Sequence, residues 1–205
     1  MKRFLGTGLI WFLFVVPALG TAGWILWREA TEPKTVSGPG LVQTDAAIGG
    51  PIALVGADGE GVTEAAFAGG PAVIYFGYTY CPDVCPTSLH TIAEALDLLG
   101  PAAEAVTPIF ITVDPKRDGI DVVGDYAAAF HERMVGLTGS PDQIAAAAKA
   151  FRVVYLARDK GRSDDDYLVD HSSYYYLMDA DWKLAAVMVH EITPAQMADA
   201  IRQLL

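Results

Sequence analysis

Cysteine and histidine are scarce in this chain of 205 residues, which contains two and four of them. Two cysteines are too few for a closed four-cysteine zinc site or a four-thiolate iron–sulfur cluster. The sequence also lacks an internal repeat and a long low-complexity tract. Its length suits one domain with a hydrophobic core, together with whatever lies at the ends of the chain.

Positive charge is also in short supply. Two of the 14 Lys and Arg residues, and none of the 25 Asp and Glu residues, lie in the first 27 positions, so the rest of the chain carries a formal charge of −13. Such a domain repels polyanions, and no basic stripe suggests nucleic-acid binding. We therefore expect cations, metals or basic protein faces as partners, although most of the carboxylates need only keep the domain soluble.

Charged residues are absent from positions 4–27. A helix of that length, at about 1.5 Å per residue, crosses a hydrocarbon core of about 30 Å. A cleaved signal peptide is the alternative, since Lys2 and Arg3 precede the run and small residues occupy positions 18–23. The length of the run and the flanking Trp24 and Trp27 favour a retained anchor over residues 1–30. Lys2 and Arg3 then leave the N-terminus in the cytoplasm and everything after the span outside.

The remaining chain divides into a linker and a domain. Residues 31–50 are rich in Pro, Gly, Ser and Thr, which predicts a linker, and residues 51–205 alternate strand and helix signals. We predict strands at 52–55, 72–76, 109–113, 153–156, 174–178 and 184–189, and helices beginning at Pro86, near Asp118, at Pro141 and at Pro194. This order predicts an α/β fold, a thioredoxin-like three-layer sandwich with an N-terminal transmembrane helix.

Cys81 and Cys85 lie between a buried strand and the start of a helix. The free N–H groups and the dipole of a helix N-terminus stabilise a thiolate, which both metal binding and disulfide chemistry require. Two soft sulfur ligands suit Cu(I), Zn(II) or iron–sulfur chemistry, and a further ligand must come from elsewhere in the chain.

Four histidines are candidates for that ligand. His90 is predicted to face solvent, His131 to complement the dipole at a helix end, and His190 has no feature that favours a function. His171 comes immediately before the strand at 174–178, where thioredoxin-like proteins have a loop that faces the cysteines. No proline occurs between positions 170 and 183, so we expect His171 to complete the site and Asp170 to orient its imidazole.

Three motifs resemble the Sco/SenC family: GYTYCPDVCP at 77–86, VDPKRD at 113–118, and VDHS at 169–172 before YLM at 176–178. The resemblance implies a thioredoxin fold on one N-terminal anchor. It also implies copper binding by Cys81, Cys85 and His171, and a role in assembling the dinuclear copper centre of cytochrome c oxidase. Lys116 replaces an acidic residue common in the second motif, and Tyr80 stands where a histidine is frequent. Neither departure touches the ligand set.

Two functions fit these features. The first is a metallochaperone that carries Cu(I) or Cu(II) to the oxidase subunit with the dinuclear copper centre. The second is a thiol–disulfide oxidoreductase that reduces the cysteines of that subunit. The three-residue spacing of the cysteines, the missing loop proline and His171 favour the first. A structural disulfide is a weaker reading, because so short a loop stabilises little.

The expected location follows from the N-terminus. No Arg-rich transit segment precedes the span, which favours a single-pass protein of a bacterial inner membrane with its domain in the periplasm. An upstream copper donor or a thiol reductase would be a further partner there.

Overall fold

The computed structural model describes Thr21, Trp24 and residues 35–42, 44, 46–159 and 167–205. The chain divides into two units, Met1–Pro33 and Lys34–Leu205. In the first unit Thr21 and Trp24 are helical. The other residues of the predicted anchor lie outside the described part of the chain. Among the described residues, no helix has the length and apolar character needed to cross a membrane.

A mixed six-stranded sheet forms the centre of the second unit. Its strands are β1 (Leu41–Val42), β4 (Ala72–Gly77), β5 (Thr107–Thr112), β6 (Val135–Leu137), β9 (Tyr175–Met178) and β10 (Leu184–Met188). They lie in the order β1-β10-β9-β4-β5-β6. β4 is parallel to β5 and antiparallel to β9. Every residue of β4 and β9 is buried, so both faces of the sheet are covered, as the predicted sandwich requires.

Four helices accompany the sheet: α1 (Val84–Leu99), α2 (Ile120–Phe130), α3 (Pro141–Ala150) and α4 (Pro194–Arg202). α1 begins two residues before the predicted start at Pro86, and α1 packs against α4. α3 and α4 each begin with proline in the first turn and with a capping box, formed by Ser140 and by Thr193. The predicted helix starts at Pro141 and Pro194 are confirmed, because both are set by these local signals.

Two hairpins lie outside the main sheet. β2 (Ala53–Val55) pairs with β3 (Gly61–Thr63), and β7 (Tyr155–Asp159) pairs with β8 (Tyr167–His171). The sequence did not predict β3, β6 or β8, and it placed β7 at 153–156. β8 ends at His171, so His171 lies in a strand and not in the predicted loop.

Part of the segment expected to be a linker packs on the domain. Val36 is buried, and the two residues of β1 pair with Val187 and Met188 at the edge of the sheet. A single buried valine and a two-residue strand are too short to produce a hydrophobic period, so the composition of residues 31–50 hides this contact.

Candidate metal centre

The two cysteines lie where β4 leads into α1. β4 ends at Gly77, a short loop carries Cys81, and Cys85 lies in the first turn of α1. Cys85 is fully buried and Cys81 is partly exposed, and both are free thiols. The backbone amide of Cys85 donates a hydrogen bond of 3.4 Å to the Sγ atom of Cys81. The helix start thus directs an N–H group at the exposed sulfur.

Gly77 makes room for the buried sulfur. A Cβ atom at this position would lie 2.8 Å from Sγ of Cys85 and 3.0 Å from the ring of Tyr75. Any other residue would therefore displace Cys85 or the tyrosine. A glycine at the end of a buried strand is a sequence signal for such close packing.

His171 joins the cysteines from the end of β8. Its Nε2 atom lies 3.2 Å from Sγ of Cys85, and its Nδ1 atom lies 3.1 Å from the carbonyl oxygen of Ser172. A carbonyl oxygen only accepts hydrogen bonds, so Nδ1 carries the proton and Nε2 presents a lone pair to the cysteines. The ring edges of Tyr75 and Tyr78 flank the imidazole, with centroids 6.0 and 5.9 Å away.

Asp170 does not orient the imidazole, contrary to our expectation. Its carboxylate pairs with the guanidinium of Arg158 on the neighbouring strand β7. Successive side chains of a strand point to opposite faces, so Asp170 faces away from the side that His171 occupies. The carbonyl of Ser172 performs the orienting role instead.

The thiols of the two cysteines are electrostatically unequal. A hydrogen bond from the Cys85 side chain stabilises the thiolate of Cys81 and lowers the pKa of Cys81 to about 3, against the opposing effect of burial. The pKa of Cys85 is raised, because its thiol is held by the Cys81 thiolate and because it is buried. Cys81 therefore loses its proton first.

The donor set fits a soft metal ion. One ligand atom each from Cys81, Cys85 and His171 lie within 4.8 Å of one another. Metal–ligand bonds of about 2.0–2.3 Å would bring three such atoms around one ion after small side-chain movements. Two thiolates and one imidazole suit copper, and the group can hold Cu(I) or Cu(II).

The other histidines lie elsewhere. His90 is exposed and pairs with a glutamate one turn later in α1. His131 follows α2, where its Nδ1 atom accepts a hydrogen bond from the backbone of Arg133, so it serves as an acceptor in a turn. His190 lies 3.2 Å from the hydroxyl of the buried Ser88. His171 alone of the four belongs to the three-residue group found among the described residues.

Asp118 supports the cysteine loop. This buried carboxylate accepts hydrogen bonds from the amide and hydroxyl of Thr79, at 2.9 and 2.6 Å, and from the hydroxyl of Thr112, at 2.6 Å. The sequence predicted a helix that begins near Asp118, and α2 begins at Ile120 with Gly119 as its N-cap. The parallel strands β4 and β5 have their carboxyl ends at the same edge of the sheet. This arrangement brings Thr79 and Thr112 to Asp118.

An open groove of about 640 Å³ lies beside His171. His171 and His190 contribute to its wall, with the exposed apolar side chains of Val154, Leu156 and Tyr174. A molecule bound in this groove would lie against His171 and His190.

Comparison with known proteins identifies the family. A family model described as SCO1/SenC matches residues 42–205. The chain belongs to the SCO1/SenC family. It is 42% identical to Protein SenC of Rhodobacter capsulatus over 162 residues, which cover 79% of this chain and 72% of that protein. It is 46% identical over 134 residues to the mitochondrial Protein SCO1 homolog 1 of Arabidopsis thaliana, covering 65% of this chain and 40% of the length of that relative.

The fold of the family is confirmed by a solved structure. Bradyrhizobium japonicum ScoI with copper bound superposes with a TM-score of 0.71 at 40% identity, and the match covers 78% of this chain and 100% of that one. The predicted resemblance and the α/β thioredoxin-like fold are therefore confirmed for this SCO1/SenC protein.

Proposed function

We propose that this SCO1/SenC protein is a copper metallochaperone that delivers copper to the cytochrome c oxidase subunit carrying the dinuclear copper centre. Copper is bound by the sulfurs of Cys81 and Cys85 and by Nε2 of His171. The observation that carries the proposal is the 3.2 Å approach of Nε2 to Sγ of Cys85, with the third ligand atom within 4.8 Å. Membership of the family supports the oxidase as the destination.

Three ligands suit transfer better than storage. A three-coordinate ion leaves a position open, so an incoming thiolate of the acceptor can bond to copper before a ligand of this chain leaves. Cys81 is the partly exposed sulfur, and we expect it to be exchanged first. Each exchange forms one copper–sulfur bond and breaks one, and the oxidation state of the ion is unchanged.

The apolar segment 4–27 is the proposed membrane anchor. The sequence supports it by the absence of charge over 24 positions and by the basic pair before them. The domain would then face the periplasm of a bacterium, where an acceptor subunit and an upstream copper donor or thiol reductase can reach the groove.

Titration of the reduced domain with Cu(I) and with Cu(II), in wild type and in ligand variants, tests the site. We expect Cys81→Ser and Cys85→Ser each to abolish one-to-one copper binding without unfolding the domain. His171→Ala should retain Cu(I), because two thiolates can hold that ion, and should lose the sulfur-to-copper charge-transfer band of Cu(II).

Three histidine variants provide matched controls. His90→Ala, His131→Ala and His190→Ala should bind both ions as the wild type does and should support oxidase assembly. One equivalent of copper retained by the variant that carries both Cys81→Ser and Cys85→Ser would refute the assignment. If His171→Ala matches wild type while a control variant does not, the nitrogen ligand has been chosen wrongly.

The second candidate function is thiol–disulfide oxidoreductase, and the unequal pKa values of the two thiols favour it. The Cys81 thiolate would attack a disulfide of the acceptor, forming a mixed disulfide and releasing one thiolate of the acceptor. Cys85 would then attack Cys81 and release the second, so that two electrons pass to the acceptor and this chain becomes the disulfide. Cys81 reacts as a thiolate and loses no proton, so one released thiolate takes up the proton that Cys85 loses and the other takes a proton from water.

An assay without metal separates the two functions. The reduced domain is incubated with an oxidised peptide of the acceptor copper site in the presence of a chelator, and free thiols of the peptide are counted. Reduction at a rate unaffected by His171→Ala supports the oxidoreductase, since thiol exchange needs only the cysteines. Absence of reduction by the wild type would leave the metallochaperone as the sole proposal.

A further inference from the structure

The position of His171 depends on a hairpin that lies outside the central sheet. β7 and β8 form a two-stranded sheet of their own, whereas the cysteines follow a strand of the six-stranded sheet. His171 is the last residue of β8 and Tyr167 is the first, about 13 Å apart at the usual rise of a strand. Three residues join His171 to β9 of the central sheet, so the distance between the imidazole and the sulfurs is set by this short connection together with side-chain contacts.

Arg117 makes one group of these contacts, at the Tyr167 end of the strand. Its NH1 group donates a hydrogen bond of 2.8 Å to the carbonyl oxygen of Tyr167, and its guanidinium lies 3.7 Å from the centroid of the Tyr167 ring. Its Nε atom donates to Asp114 at 2.5 Å, and the hydroxyl of Tyr167 donates to the same carboxylate at 2.6 Å. We call Arg117, Asp114 and Tyr167 the arginine clamp.

The clamp also touches the cysteine loop. The guanidinium of Arg117 lies 4.8 Å from the ring centroid of Tyr80, the residue before Cys81, and 5.7 Å from that of Tyr78. Tyr78 in turn meets the imidazole of His171 edge to face, at 5.9 Å and 90°. One side chain thus contacts both the strand that carries His171 and the loop that carries Cys81.

Burial makes these contacts strong enough to matter. The side chains of Arg117 and Asp114 are 7% and 5% exposed, so the ion pair is shielded from water and salt. A planar guanidinium can bond to a carboxylate and a carbonyl in one plane while stacking on an aromatic ring, and the point charge of lysine cannot. If Cys81, Cys85 and His171 bind copper as proposed, the clamp influences metal binding through the position of His171.

We propose that Arg117 is a positioning residue for the copper site, because it fastens the hairpin that carries His171 to the loop that carries Cys81. The loop has a second attachment through Thr79 and Asp118, whereas the clamp lies on the hairpin itself. Loss of the clamp should therefore displace the imidazole and leave the two sulfurs in place. Cu(II), which needs the nitrogen, loses affinity, and Cu(I) does not.

The test uses Arg117→Gln, which removes the charge and the stacking plane. We expect its Kd for Cu(II) to rise about 10- to 100-fold, the usual effect of losing a group that orients a metal ligand. Its Kd for Cu(I) should stay within a factor of about three, since both thiolates remain. Hydrogen exchange of the metal-free protein, read by mass spectrometry, should be at least about tenfold faster over residues 167–171. Arg117→Lys should fail to restore either property.

Arg133 offers a matched control. This arginine donates to the carbonyl oxygens of Ala103, Glu104 and Val106, contacts that connect segments other than the hairpin and the cysteine loop. We expect Arg133→Gln to lower stability while it leaves the ratio of Cu(II) to Cu(I) affinity and the exchange of residues 167–171 unchanged. If Arg133→Gln changes that ratio as much as Arg117→Gln does, the effect comes from a general loss of stability. That result would overturn the proposal.

Tyr167→Phe keeps the proposal testable if Arg117→Gln does not fold. It removes one hydroxyl from the clamp and should give a smaller effect of the same kind, with a Cu(II) Kd about threefold higher and faster exchange in β8. Wild-type values for both would overturn the proposal.

His171→Ala distinguishes the two levels of inference. If that variant loses Cu(II) and the clamp variants do not, only the clamp is wrong; if it retains Cu(II), the ligand set itself is wrong.

Discussion

The backbone amide of Cys85 donates a hydrogen bond to the sulfur of Cys81, four residues earlier in the chain. The thiol of Cys85 donates a second hydrogen bond to the same sulfur, and this contact does most to lower the pKa of Cys81 to about 3 despite its partial burial.

Cys81 should react with iodoacetamide at a rate that does not change between pH 5 and pH 8. A thiol with an ordinary pKa of about 8.5 loses reactivity roughly tenfold for each pH unit below that value, because the thiolate is the nucleophile. Cys81 is already ionised throughout this range, since its lowered pKa lies below pH 5. Mass spectrometry of the labelled peptide measures the rate.

The control for this experiment is Cys85→Ala. It removes the hydrogen bond that contributes most to the lowered pKa, so the pKa of Cys81 should rise and the rate should recover a dependence on pH. A tenfold decline in the wild-type rate for each unit below pH 8 would contradict the assigned ionisation.

Gly77→Ala should damage the metal centre through crowding. The added Cβ atom would lie 2.8 Å from Sγ of Cys85, so the sulfur or the strand must move. We expect a loss of about 1–3 kcal/mol in the free energy of unfolding, as for other overpacked sites, and weaker binding of both copper ions. Gly61→Ala, at a position with no atom within 4 Å of the added carbon, should change neither. Urea denaturation and copper titration give the two readouts, and equal behaviour of the two variants would rule out the crowding.

Asp118→Asn should destabilise the domain by about 2–3 kcal/mol. The carboxylate accepts three hydrogen bonds from Thr79 and Thr112, and an amide would direct N–H groups at donors or leave one of them unpaired. The exposed Asp121 in the first turn of α2 provides the control variant, Asp121→Asn, which should cost less than about 1 kcal/mol. A midpoint of urea unfolding for Asp118→Asn equal to that of Asp121→Asn would exclude the supporting role of Asp118.

The domain should lie outside the cytoplasm. Alkaline phosphatase fused after Leu205 should be active in a bacterial host, because that enzyme needs an oxidising compartment and the predicted span carries the domain across the membrane. Removal of residues 1–30 should abolish the activity. If the phosphatase fusion is inactive and a reporter that fluoresces in the cytoplasm is active at the same fusion point, the predicted topology is wrong.

Local patterns allowed much of the fold to be predicted. The continuous apolar runs of β4 and β5, and the prolines at the starts of α3 and α4, are signals within a few residues of one another. Short edge elements were missed. β1, with two residues, and β6, with three, carry too little pattern to be recognised and exist because a neighbouring strand offers hydrogen bonds.

The sequence by itself determined the chemistry available at the site. Two cysteines at a helix start predict a pair of soft ligands from residue type and spacing alone, and the choice of His171 as the third ligand rested on its place before a strand and on the family resemblance. Tertiary structure alone decided which groups support it. Asp170 faces Arg158, the imidazole is oriented by the carbonyl of Ser172, and Asp118 bonds to Thr79 across 39 positions of the chain. Strand direction and the packing of distant segments select such partners. The residues next to each partner in the sequence do not predict either feature.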